Sequence, residues 1–274
     1  MDTPLPFDSH THTWLCKHAH GTPADYARMA RARGLPGIYV TDHVPTPNAF
    51  QGEVRMTNEQ FTQYLDMVAA AQAEFGAAYC RLGIEADYYP GCEDWLPDWL
   101  AAQPFDLVLG SIHYVTGWNV MGQPPPTEDT AALWRDYFAQ VATLARTGWY
   151  DVVAHLDVPK RWRAALPADW ITTLAGPALE ALAANDMAVE LNTSGFRHPI
   201  NEIYPAADLL AALRARGIGI VFGSDAHHPE QVGTGFQRAL ALARAVGYRE
   251  YRVYRQRTYT LEPLARPAPP PPGI

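Results

Sequence analysis

An apolar run, then a histidine or carboxylate at its downstream end, then a turn: this unit recurs along the chain and limits its fold more than any other feature. It appears in Asp8-Ser9-His10-Thr11-His12, Thr41-Asp42-His43, Gly83-Ile84-Glu85, Gly110-Ser111-Ile112-His113, Val153-Ala154-His155 and Gly223-Ser224-Asp225-Ala226-His227. Short apolar runs bounded by turn residues read as buried strands. Ten histidines scattered over 274 residues would carry no message. Closing strand after strand in one series, they imply convergence on a single point in space.

Strand signals fall near 5–10, 37–42, 80–86, 106–112, 151–155, 187–192 and 218–223. Between them lie helical stretches near 23–33, 58–75, 92–102, 130–147, 169–185, 205–216 and 230–246. Thr22 can cap a helix with Pro23 at its first position and Asp25 in its first turn, and Gly34 follows its end. Pro205 and Gly217 bracket another helix, and Gly176-Pro177 is expected to divide the one around 169–185. Seven β-then-α units predict a parallel sheet, either open or closed. An open sheet gathers its ligands at one crevice served by a few strands. Here nearly every strand contributes, which requires a closed ring whose carboxyl ends share one mouth. The expected fold is a distorted (β/α)7 barrel spanning 1–262, with Tyr251–Leu261 adding an edge strand or hairpin. The proline-dense stretch 263–274 is expected to be a disordered tail.

Bulk properties narrow the partners. A net charge of −8 and a pI near 5.6 argue against nucleic acid or an anionic membrane surface as a partner. No apolar stretch approaches the roughly 18 residues of a spanning helix, and no signal peptide is expected at the N-terminus. Three cysteines, Cys16, Cys80 and Cys92, are too few for a disulfide framework and fit a reducing cytoplasm. Nothing in the sequence reads out an oligomeric state.

His10 and His12 stand two apart on a strand and project from one face, as do Asp225 and His227. Glu85 follows the apolar run Arg81–Ile84, where an unpaired carboxylate would be costly to bury. His113 and His155 close apolar runs of their own. A single strand-end histidine is more often a packed residue than a ligand. Imidazoles and carboxylates crowded at one rim, however, would repel and desolvate each other without cations.

This series, with Cys16-Lys17-His18 and Ala154-His155-Leu156-Asp157, resembles the PHP (polymerase and histidinol phosphatase) superfamily. Ile84-Glu85-Ala86-Asp87, Gly110-Ser111-Ile112-His113-Tyr114 and the run on to Val158-Pro159-Lys160 look like its histidinol-phosphate phosphatases. The likeness runs from about Phe7 to Tyr248. It implies three divalent metal ions, with Zn²⁺, Mn²⁺ and Fe²⁺ all suited to such donors. The first would take His10, His12, Glu85 and Asp225. The second would share Glu85 as a bridge with His113 and His155, and the third would use His18, His43 and His227. His18 is given by the resemblance, not by spacing. His20 is its rival as a ligand, while His198 and His228 read as surface or outlying residues. Cys16 is a soft donor nearby to which the family pattern gives no ligand role.

The resemblance implies hydrolysis of a small phosphate ester, L-histidinol phosphate, to L-histidinol and phosphate. Two cations sharing Glu85 would lower the pKa of a shared water toward neutral and supply a nucleophile for phosphorus. A monoester dianion also needs fixed positive charge. Arg197 follows a strand directly, and Lys160-Arg161 follow the His155 strand, with Arg161 the favoured member of that pair. Asp42, beside His43, is placed to act as general acid or to orient a metal site. Val115–Asp129, with Trp118 and Glu128, is expected to form a lid. Two rivals stay open: a phosphoesterase of the same family acting on another small phosphate or a diester, and a metal-stabilised scaffold without activity.

Overall fold

The computed structural model describes residues 4–47, 51–127, 129–162 and 169–264. In chain order its strands are β1 (Ile38–Val40), β2 (Cys80–Asp87), β3 (Leu107–Ser111), β4 (Tyr114–Val115), β5 (Trp118–Asn119), β6 (Val152–Val153), β7 (Ala188–Asn192), β8 (Ile220–Gly223), β9 (Glu250–Arg255) and β10 (Thr258–Pro263). The helices are α1 (Pro23–Ala32), α2 (Phe61–Phe75), α3 (Leu96–Ala101), α4 (Thr130–Thr147), α5 (Gly176–Ala184), α6 (Ala207–Ala215) and α7 (Phe236–Val246). Strands β1, β2, β3, β6, β7 and β8 form one parallel sheet in that order.

Residues 5–10, expected as the first strand, form no regular ladder. The extended segment around them bridges Ile38 through Asp8 and Ala226 through Thr11. On one side Asp8 N donates to Gly37 O, Tyr39 N to Asp8 O and Thr41 N to Thr11 O. On the other, Ser9 N donates to Phe222 O, His12 N to Ala226 O and Ala226 N to His10 O. Those bonds join β1 to β8 and close the ring as its seventh stave. Its neighbours are only three and four residues long, so the pairing never becomes a full ladder.

Side chains alternate across each strand. Tyr39, Leu107, Leu109, Val152, Ala188 and Val221 turn inward and fill the barrel, while the larger core lies between the sheet and the helices. The hairpin β9–β10 pairs only with itself and does not extend the barrel sheet. Instead Tyr254 joins the interior cluster. Tyr254 N donates to Tyr39 Oη at 2.7 Å, and Tyr39 Oη donates to Tyr254 O at 2.6 Å. This plugs the amino-terminal end of the barrel and leaves the carboxyl end for polar groups.

Local rules account for most boundaries. Thr22 and Asp25 form a reciprocal capping box on α1. The helix expected over 92–102 starts late, at Leu96, with Pro97 in its first turn, because proline is tolerated only there. Gly176-Pro177 does not break the chain path. It marks the change from a π-helical turn over Ile171–Ala175 to α5. Pro263 pairs with Glu250 and Leu264 is buried, so ordered chain runs past 262. The remainder of the expected tail, 265–274, lies outside the described residues. Among the described residues no helix is long and apolar enough to cross a membrane.

Candidate metal centre

His10, His12, His18, His43, Glu85, His113, His155, Asp225 and His227 meet at the carboxyl ends of the barrel staves. Glu85, at the middle, is buried and straddles two groups of imidazoles. Its Oε2 lies 3.0 Å from His43 Nδ1, 3.3 Å from His10 Nε2 and 3.5 Å from His12 Nε2. Its Oε1 lies 3.2 Å from His155 Nε2 and 3.5 Å from His113 Nε2, and accepts from the Ser111 hydroxyl. Asp225 Oδ1 stands 3.4 Å from His12 Nε2 and 3.5 Å from His227 Nδ1.

Three pairs of imidazole nitrogens face each other. His10 and His12 approach through Nε2 at 2.9 Å, His18 and His227 at 2.9 Å, and His113 and His155 at 3.3 Å. Four of these six rings are held by hydrogen bonds at the far nitrogen. His10 Nδ1 donates to Glu190 Oε1 at 2.8 Å, His113 Nδ1 to Asp87 Oδ1 at 2.5 Å and His18 Nδ1 to Cys16 O at 2.7 Å. His227 Nδ1 donates to Asp225 O at 3.1 Å. A ring that donates from Nδ1 presents a lone pair at Nε2. In the His18–His227 pair both rings do so, and two lone pairs at 2.9 Å repel unless a cation lies between them; His12 and His155 leave Nδ1 without a hydrogen-bond partner. Two imidazoles on one tetrahedral ion at about 2.05 Å would stand roughly 3.3 Å apart, so the donors fit divalent cations.

The electrostatics agree. Burial opposes charge on Glu85 and Asp225, yet His43 and His10 around the first, and His10 and His12 around the second, hold both well below the usual carboxylate range. Burial likewise works against a charged His10, but Glu190, Asp225 and Glu85 raise it well above the ordinary imidazole value. Burial has the opposite outcome at two other rings, pushing His43 down to about 3 and His227 well below the ordinary imidazole value. Glu85 Oε2 and His43 Nδ1 are buried without a hydrogen-bond partner, as expected of donors arranged for an ion. His155 and Asp225 hold left-handed backbone at φ 28° and 51°. Such conformations cost about 1–3 kcal/mol each and gather at functional sites.

Glu190 and Asp87 were missed by sequence reasoning. Glu190 is fully buried, and its Oε2 accepts from His155 N at 2.9 Å and Asn192 Nδ2 at 3.0 Å. Gly223 makes room for it, since a Cβ there would collide with Glu190 Oε1 and with His10 Cβ. Asp87 ties His113 to Arg55, whose Nη2 lies 2.9 Å from Asp87 Oδ2. The signal was available: both are carboxylates in buried strands, the criterion applied to Glu85.

Asp42 does not reach the cavity, contrary to the expectation of a general acid. It is fully buried and accepts from Thr13 N at 2.5 Å and from the Thr13 hydroxyl, with His12 Nδ1 3.8 Å away. Burial pushes its carboxyl up to about 6, against the lowering effect of His12 and Thr13. That geometry fixes the turn at Thr13, beside His12, without a hydrogen bond to the ring itself. Cys16, also buried, has its thiol within 4.8 Å of donor atoms of His18 and His227, and separately of His12 and Asp42. His20 stacks on His228 at 4.4 Å between ring centroids and does not line the cavity.

A cavity of about 570 Å³ opens over the cluster. Arg161 and Arg197 line it, and among the described residues neither forms an ion pair with a carboxylate. Arg197 is anchored by Nη2 bonds of 2.8 Å to both Ser224 O and Asp225 O. Lys160 turns away into an ion pair with Asp157 at 3.0 Å and a bond to Ile203 O at 2.6 Å. His198, read from sequence as a surface or outlying residue, lines the cavity with its ring 3.4 Å from Arg161 Nη2. The segment expected to form a lid contains the β4–β5 hairpin and the turn after it, with Asn119, Met121 and Gly122 in the cavity wall. Trp118 is buried in that hairpin, and Glu128 lies outside the described residues.

Known proteins resemble this chain over most of its length. It is 42% identical over 247 residues, 88% of this chain and 94% of the relative, to a Deinococcus radiodurans protein named "Probable histidinol-phosphatase". The Bacillus subtilis protein named histidinol-phosphatase is 26% identical over 262 residues, covering 85% of this chain and 97% of its own. The crystal structure of Lactococcus lactis histidinol phosphate phosphatase, complexed with zinc, L-histidinol and phosphate, shares the fold with a TM-score of 0.79. It is 22% identical and covers 93% of this chain and 98% of that one. The family profile described as PHP domain matches residues 8–194. A ring of staves ending in paired imidazoles around one bridging carboxylate, together with that match over more than half of the sequence, makes this chain a member of the PHP family.

Proposed function

We propose that this chain is a metal-dependent phosphomonoesterase that hydrolyses L-histidinol phosphate to L-histidinol and phosphate. The observation that carries the reading is the 42% identity to a histidinol-phosphatase across 88% of the chain. The site supports it independently, because cation-binding donors and unpaired arginines face the same cavity.

Three divalent cations are proposed: one on His10, His12, Glu85 and Asp225, one on Glu85, His113 and His155, and one on His18, His43 and His227. When bound, they supply a water of lowered pKa and neutralise charge at phosphorus. Glu85 serves two positions at once because each of its oxygens faces a different set of imidazoles. Arg197 and Arg161 bind phosphate oxygens, and their rigid placement lowers the entropic cost of orienting the ester. Glu190 and Asp87 hold imidazoles in place, and Asp42 fixes the turn at Thr13 beside His12.

The direct test is phosphate release from L-histidinol phosphate, with metal quantified on the same sample. A kcat/KM at least a hundredfold higher for a cyclic or nucleotide phosphate would replace the substrate assignment. Fewer than two ions per chain with no turnover would favour a scaffold. Arg197→Ala should lower kcat/KM by about 10²-fold, the usual loss of one preorganised donor, with bound metal unchanged. Coincident metal loss would refute its role at phosphate.

A further inference from the structure

Among the described residues, the hairpin over the cavity carries an amide N–H donor that no hydrogen bond to protein uses. Asn119, on β5, is partly exposed in the cavity wall. Its Oδ1 accepts from the backbone N–H of both Met121 and Gly122, each at 3.0 Å. Those two bonds fix which end of the amide is oxygen, so the amide nitrogen is the end left over. Gly122 gives that nitrogen room, since a Cβ there would come within 2.8 Å of Nδ2. Val54 and Met121 add apolar surface to the same cavity, and Met121 Sδ is held by Arg161 Nη1 at 3.4 Å. A fixed donor beside soft apolar side chains suits a flat heteroaromatic ring with an acceptor in its plane.

We propose that Asn119 Nδ2 donates a hydrogen bond to the unprotonated ring nitrogen of the substrate's imidazole, so that Asn119 selects the end of the ester remote from phosphorus. The proposal rests on L-histidinol phosphate being the substrate. An ester lacking the ring would still engage the cations, Arg161 and Arg197, but would gain nothing from Asn119. A site built to hydrogen-bond a polar group discriminates strongly against analogues that lack it.

Asn119→Asp separates this role from a purely structural one. The aspartate keeps an oxygen for the Met121 and Gly122 N–H groups, so the turn after the hairpin survives, while the donor becomes an acceptor. Metal-loaded wild type and variant are compared on L-histidinol phosphate and on O-phosphoethanolamine, which keeps the amine and the phosphate but has no ring. The kcat/KM for L-histidinol phosphate should fall at least about tenfold, mainly through KM. That for O-phosphoethanolamine should stay within about twofold, with metal content unchanged. Equal losses on both esters, no loss on either, or a lower KM for L-histidinol phosphate would each overturn the proposal alone. Wild-type enzyme that does not turn over L-histidinol phosphate would overturn the substrate reading and this proposal together.

Discussion

At the scale of single residues, the hydrogen bonds behind the imidazoles govern the site. Glu190 serves three donors with two oxygens: His10 Nδ1 on one, His155 N and Asn192 Nδ2 on the other. Glu190→Gln keeps the shape but turns one oxygen into an NH₂. Either His10 or the His155 and Asn192 pair must then face a donor. Metal affinity is expected to fall by about 10–100-fold, the usual cost of losing a carboxylate behind a ligand histidine. Competition with a chelating dye measures this, and an unchanged affinity would reduce Glu190 to a packing role. The histidines other than His18 were legible because they end strands. Glu190 was not, although it interrupts Ala188-Val189-Glu190-Leu191 in the same way that Glu85 follows Leu82-Gly83-Ile84. Its partner His10 lies 180 residues away, and no local pattern reaches that far.

At the scale of elements, helix punctuation was the most readable feature. The Thr22 cap, Pro23 and Asp25 all act on α1 as their residue types dictate, with Thr22 N donating to Asp25 Oδ2 at 2.8 Å. Thr22→Ala should cost about 1 kcal/mol, the ordinary value of an N-cap, and chemical denaturation would register it. Since α1 carries none of the proposed ligands, metal content should not change. The stave at 8–12 was harder to read as a strand, because its bonds alternate between two partners that are each too short for a ladder. Neighbours also separate Lys160 from Arg161 in space. Asp157 and Ile203 O draw the lysine inward, and Arg161 is left facing the cavity.

At the scale of the whole molecule, folding is expected to be coupled to cation binding. Buried Asp42, Glu85, Asp225 and Glu190 are gathered at one end of the barrel, while apolar side chains and Tyr254 fill the other. An ion bound at a free concentration a hundredfold above its Kd stabilises the native state by about 2.7 kcal/mol. Chelation is therefore expected to lower Tm by at least about 5 °C, and the same metal should restore it. An unchanged Tm would mean that the cluster is stable by its own hydrogen bonds, which would remove the electrostatic argument for cations.

The sequence by itself determined the alternation of strand and helix, the closed ring it demands and the donor types collected at the mouth. Each of these follows from periodicity over a few residues and from the high cost of burying charge alone. What needed the folded chain was that Asp42 bonds Thr13 instead of facing the cavity, that Glu190 and Asp87 hold His10 and His113, and that Tyr254 plugs the barrel. Those outcomes depend on which groups meet across the ring. Contacts between distant staves are set by closure of the barrel, and local spacing carries no record of them.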